Sequence, residues 1–351
     1  MAIAGGVGAV ILLIVAVLVF TGGGDGDVEA VATTTTTEAT TTTTTEPPRT
    51  TSALTGLPVE QGVLDRPVVA IKIDNVDGKS TPQLGINQAD VVYEIQVEGS
   101  VTRLLSLYQS EDYGPIGPVR SARGSEIGLL EELNRPLFTW HGENGVLGPQ
   151  VRAAQVQVRS INEIGGLFYR EPGRPAPYNS FVQGSAQIRE TADEGSTGPA
   201  EPIFTFAEEG EAASPTATPA TTVNIRFTGG AGGAPVDYAW DGNLWLRSQG
   251  GRPHVDSDGT QVAVENVIVR FVPAVDSGTR DKAGSVVPTA QVTGEGEVWV
   301  FSQGTVTVGT WRKADNTSIT EYLDADGNPI KLTPGQTWIS MPYTSASSSF
   351  G

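Results

Sequence analysis

Arg66-Pro67-Val68-Val69-Ala70-Ile71-Lys72-Ile73 is a run of mostly apolar, β-branched residues. Such side chains favour a pleated backbone, and a continuous apolar run of this length reads as a strand covered on both faces. Downstream, Asp90 to Val97 and Thr102 to Gln109 read as two more strands, joined by Glu98-Gly99-Ser100. Glu126 to Leu133 predicts a short helix, with Ser125 as its N-cap and Pro136 as its stop. Pro136 to Trp140 returns as a strand, and 146–155 and 185–192 are expected to be helical. This half mixes helix and strand.

From Val223 onward the pattern is almost entirely β. Strands are expected at 223–228, 243–247, 266–272, 297–301, 305–311 and 338–341. Asp241-Gly242-Asn243, Asp258-Gly259 and Asp326-Gly327-Asn328 supply turns between them. The two halves are separated by a stretch, Glu190 to Glu211, with seven acids and no base, followed by Ser, Pro, Thr and Ala to Thr222. That composition reads as a solvated loop or linker, in which 202–206 docks as a short strand. The expected fold class is α+β. A mixed lobe at 54–190 packs on a β-rich lobe at 222–345, with a linker at 191–221.

Upstream, Ile3 to Phe20 is uncharged and rich in Val, Ile, Leu and Ala, near the minimum length for a membrane span. A signal peptide needs a basic leading region, and none precedes the run, so an uncleaved anchor at 1–20 is favoured and a short basic segment is expected upstream. Residues 21–53 are rich in Gly, then Thr, and read as a disordered spacer. Anchor and spacer together place the globular part outside the plasma membrane.

The 351 residues include 40 acids, 22 bases, two histidines and no cysteine, for a net charge of −18. The acidic balance argues against nucleic acid, and the missing thiols remove disulfides and cysteine chemistry. Gly78-Lys79-Ser80-Thr81 lacks the upstream glycine of a phosphate loop, that position being Ile73, and Pro82 follows where a helix should run. Asp256-Ser257-Asp258-Gly259 and Asp324-Ala325-Asp326-Gly327-Asn328 do not follow the calcium-loop spacing. His141-Gly142-Glu143 and His254-Val255-Asp256 contain the two histidines, both more consistent with structural roles. No cofactor and no metal are expected.

Two Pro- and Gly-rich segments carry arginines: Gly114-Pro115-Ile116-Gly117-Pro118-Val119-Arg120-Ser121-Ala122-Arg123, and Tyr169-Arg170-Glu171-Pro172-Gly173-Arg174-Pro175-Ala176-Pro177-Tyr178-Asn179. Stiff loops presenting guanidinium groups suit capture of a carboxylate or phosphate. The alternative is pairing with the domain's own acids.

These segments, with Leu54-Thr55-Gly56-Leu57-Pro58, Ile71-Lys72-Ile73-Asp74-Asn75, Gln88-Ala89-Asp90-Val91-Val92-Tyr93-Glu94 and Arg252-Pro253-His254-Val255-Asp256, together resemble the YerB-like lipoprotein family, from about Leu54 to Pro342. The resemblance implies a bacterial cell-envelope domain with an α+β first part and a β-rich second part, and no established activity. Two departures stand out. Many relatives carry a lipid-anchor cysteine. Relatives usually show histidine where this chain has Tyr178, which argues against histidine chemistry here.

The leading functional reading is a binding or scaffold module for an anionic or carbohydrate ligand of the cell envelope. Its expected site residues are Asp74, Asn75, Arg120, Arg123, Arg170, Arg174, Tyr178, Asn179 and His254. The alternatives are a wall hydrolase using carboxylates such as Asp74 or Glu94, and a protein–protein adaptor with an exposed apolar patch.

Overall fold

The expected strand at 66–73 is present as β1 (Val69–Asn75), with all seven residues buried. Its side chains alternate between two cores. Val69, Ile71 and Ile73 enter one, and Ala70 enters the other together with Val68 just upstream. A strand buried on both faces explains why the sequence shows an apolar run rather than alternation. The computed structural model describes residues 50–142, 147–199, 201–227, 233–280 and 286–351. The Ile3–Phe20 run, the tract up to residue 49 and Glu143 lie outside the described residues. Among the described residues, no helix is long and apolar enough to cross a membrane.

β1 belongs to an eleven-stranded mixed sheet. The other strands from the first half are β2 (Val91–Gln96), β3 (Thr102–Tyr108), β4 (Leu137–Thr139) and β5 (Gln157–Val158). The second half gives β6 (Asn266–Arg270), β7 (Gly294–Ser302), β8 (Thr305–Lys313), β9 (Glu321–Leu323) and β10 (Thr337–Met341). The order is β9-β8-β7-β6-β10-β2-β3-β1-β4-β5, with Thr218–Pro219 beside β8. β10 runs parallel to both its neighbours, pairing Glu94 with Ser340 on one side and Ile268 with Ile339 on the other. The two halves therefore share one continuous sheet. The sequence reading of one lobe packed on another differs here because strand composition carries no pairing information.

A second sheet packs on the Ile71 face. It is built from 222–226, 236–240, 245–249, 252–253, 263–264 and 347–350. Val223, Ile225, Tyr238 and Trp245 meet Val92, Val267, Phe301 and Trp338 there. Burying each such side chain contributes roughly 1.5–3 kcal/mol. The opposite face is covered by helices α1 (Ser125–Leu130) and α2 (Leu147–Ala153) and by Leu54, Trp140, Ile203 and Phe204. The protein is thus α+β and mostly β.

Several details depart from expectation. Gly124, not Ser125, occupies the N-cap of α1. The Ser125 hydroxyl is instead drawn into the interior, where it accepts the Ala290 amide at 3.0 Å and meets Thr289 Oγ1 at 2.7 Å. The acidic 191–221 stretch is not wholly solvated: Ile203, Phe204, Ala207 and Ala213 are buried, and Thr205–Phe206 pairs in parallel with Lys331–Leu332. A two-stranded ribbon, Ala274–Arg280 with Val286–Ala290, lies outside both large sheets.

Candidate functional site

The two arginine-bearing loops lie side by side. The 114–120 segment runs as an extended strip between the end of β1 and Ser180–Val182. Asp74 N donates to Pro118 O at 2.9 Å, Arg120 N to Lys72 O at 2.8 Å, and Val119 N to Ser180 O at 2.6 Å. Glycine at 117 makes this fit possible, because a side chain there would meet the Phe181 ring at 2.7 Å.

This packing gathers three basic groups at one rim. The Arg120 guanidinium lies 5.9 Å and the Lys79 ammonium 6.0 Å from the Tyr178 ring centroid. Arg120 Nε donates to the buried Asp74 carboxylate at 2.6 Å. Its two Nη groups have no hydrogen-bond partner among the described residues. Arg170 is exposed and donates to Asn179 Oδ1 at 3.0 Å. His141 lies between, its amide donating to Arg120 O and its Nδ1 2.5 Å from Ser180 Oγ. Burial, then the charges of Arg170 and Arg120, hold His141 below the ordinary histidine range and favour its neutral form.

Other expected site residues are spent elsewhere. Arg174 donates to the carbonyls of Ser80 and Pro82 at 3.2 and 2.6 Å and stacks on Phe181. Arg123 forks onto Glu98. Burial raises the Glu98 pKa, but the Arg123 guanidinium overrides that and brings it to about 2. Pairing with the domain's own acids therefore accounts for Arg123, whereas backbone carbonyls hold Arg174. Below them, Lys72 is fully buried 2.6 Å from Glu126. Desolvation outweighs the Glu126 charge and lowers this lysine to about 8. Arg103 lies close by, its Nη1 donating to Ser121 O at 2.9 Å.

Asn75 and His254, expected at a ligand site, are instead part of a buried network that joins the halves. Asn75 Nδ2 donates to Glu94, Thr102 and Gln249. Glu94 also accepts Arg247 Nη2 on both oxygens, the Trp338 indole at 3.1 Å and Ser340 Oγ at 3.2 Å. His254 Nδ1 accepts from Arg247, so Nε2 carries the proton and donates to Gln83 Oε1 at 2.8 Å. Both ring nitrogens are occupied, and burial followed by the Arg247 charge holds His254 well below the usual range. Neither nitrogen is free for a ligand.

The hydrolase alternative calls for a carboxylate pair facing a cleft, with Asp74 or Glu94 as a member. These two point to opposite faces of the sheet: Asp74 lies beside Arg103, and Glu94 lies on the Trp338 side. The two Asp-Gly segments also use their carboxylates structurally. Asp256 accepts the amides of Gly85 and Asn87, and Asp324 accepts those of Asp326 and Asn328. The Gly78–Thr81 turn closes on itself, Gly78 N donating to Thr81 Oγ1 at 3.0 Å. Its contribution to the rim is Lys79, which sequence reading passed over when it set aside the phosphate loop.

Comparison with known proteins returns the same family for both halves. Residues 54–197 match the N-terminal domain, and 223–339 the C-terminal domain, of a protein of unknown function (DUF3048). The chain is 27% identical over 300 residues to "Putative lipoprotein YerB" of Bacillus subtilis (strain 168), covering 82% of this chain and 85% of that one. The crystal structure of YerB protein from Bacillus subtilis superposes with a TM-score of 0.72 at 26% identity, covering 86% of this chain and all of that one. The resemblance drawn from the 54–342 motifs thus extends to the whole described fold, and this chain belongs to the DUF3048 family, the family of YerB.

Proposed function

We propose that the protein is an extracytoplasmic binding module for an anionic component of the cell envelope, held by Lys79, Arg120 and Arg170 around Tyr178. The observation that carries this reading is the gathering of Lys79 and Arg120 at the Tyr178 ring, in a chain whose net charge is −18. Such a site gives an anion charge-assisted hydrogen bonds, each worth roughly 1.5–3 kcal/mol. Proline in both loops limits the freedom lost on binding. The similarity to a lipoprotein supports a membrane-associated, extracytoplasmic location, and the apolar Ile3–Phe20 run is the anchor in this reading.

Calorimetric titration of the full chain with a muropeptide and with a glycerol-phosphate oligomer tests the site. Lys79→Ala and Arg170→Ala, both at exposed positions, should each weaken binding at least fivefold. Parent-like binding by both variants, or no saturable binding by the parent, overturns the reading. Protease added to intact protoplasts tests location, and full protection of the globular part would end it.

A further inference from the structure

A cavity of about 330 Å³ lies beneath the 274–290 ribbon, remote in chemistry from the cationic rim. Arg123, Ser125, Ile127, Gly128, Leu147 and Gln150 line it from the segment matching the N-terminal family domain. The ribbon, Val292, Thr293 and Asn316 line it from the C-terminal one. Junctions of this kind commonly hold small ligands, and the volume lies at the lower end of the ligand range of about 300–1,000 Å³. The ribbon is pinned over the cavity by Ser125, through Thr289 and Ala290.

The lining selects for a neutral ligand. Its two charged members are already compensated, Arg123 by Glu98 and Asp276 by Arg280. The side-chain amides of Gln150 and Asn316 have no hydrogen-bond partner among the described residues. Each offers donors and an acceptor on one planar group, the complement of another amide. Ile127, Leu147, Val287 and Val292 supply apolar surface in the same cavity. Gly128 keeps the wall thin, since a Cβ there would meet Val292 at 2.4 Å and Asn316 Oδ1 at 2.9 Å.

We infer that this cavity is a second ligand site, for a neutral acetamido sugar whose amide pairs with Gln150 and Asn316 and whose methyl packs on the apolar residues. The inference is independent of the anion site. It is tested by saturation-transfer NMR and calorimetry on the full chain, with the trimer of N-acetylglucosamine as probe. The glucose trimer, lacking acetamido groups, and N-acetyl-trialanine amide serve as comparisons. The acetamido trimer should bind saturably and at least tenfold more tightly than the glucose trimer. Gln150→Ala and Asn316→Ala, both exposed and so compatible with folding, should each weaken it at least fivefold. The inference falls if the acetamido trimer does not saturate at millimolar concentration, if both alanine variants bind like the parent, or if the peptide binds more tightly than the sugar.

Discussion

Arg247 Nη2 contacts both carboxylate oxygens of Glu94, at 2.8 and 2.9 Å, with both side chains fully buried and 153 residues apart in sequence. The Arg247 guanidinium also lies 4.6 Å from the centre of the Trp338 ring. One side chain of the second sheet thereby anchors the β2–β10 seam of the first.

Removing one partner leaves a buried charge unpaired, which costs roughly 3–5 kcal/mol. Arg247→Met and Glu94→Gln are expected to destabilise by amounts in that range, measured by urea unfolding. The double variant should lose much less than the sum. Additive losses would show that the two groups do not interact.

His254 gives the fold a pH dependence. It is held neutral in the native state, with a pKa well below the usual 6.5, and recovers ordinary basicity when unfolded. Below about pH 6.5 the unfolded chain therefore binds the extra proton, and stability falls as pH drops, by up to about 1.4 kcal/mol per unit from this group. Above that pH the contribution is flat. Unfolding measured at pH 7.5 and 5.5 should show the loss in the parent and a shallower slope in His254→Gln. An identical slope in the variant counts against this role.

Lys72 and Glu126 form a second buried pair, 2.6 Å apart and both inaccessible to solvent. Lys72→Met alone should destabilise by roughly 3–5 kcal/mol, since Glu126 is then left buried without its ion-pair partner. Lys72→Met with Glu126→Leu should recover most of the loss or exceed the parent, as apolar replacement of buried pairs often does. Thermal unfolding of the single and double variants decides between the two.

Neither half should fold alone. A fragment ending at residue 330 lacks β10 and exposes the inner edges of β2 and β6. It is expected to show no cooperative melting transition. A transition at the full chain's temperature would show that the sheet does not depend on β10, and a cooperative transition in 54–221 alone would show that the first half folds independently.

The central strands of the first sheet were legible in the sequence because burial on both faces demands apolar, β-branched runs such as 69–73 and 91–95. The ribbon at 274–290 was not. Its first strand is mostly exposed on both faces, so Asp276-Ser277-Gly278-Thr279 carries no alternating pattern. At the rim, Arg120, Arg170, Tyr178 and Asn179 followed from loop composition. Lys79 did not, since only the fold brings its turn to Tyr178. Asn75 and His254 were misplaced for a related reason: their partners Gln249 and Gln83 lie 174 and 171 residues off in sequence, and composition cannot show that a polar residue is already satisfied.

The position of β10 governs the order in which this chain can acquire structure. Thr337–Met341 follows both of its sheet neighbours in the chain, yet it fills the centre of the sheet. Until it arrives, the strands on either side have no common neighbour, and Glu94 lacks its bonds from Trp338 and Ser340. Closure by late, sequence-distant contacts is slow compared with local folding. The central strand can pair only after both of its neighbours have been made, so the sheet closes by joining segments 246 residues apart at Glu94 and Ser340.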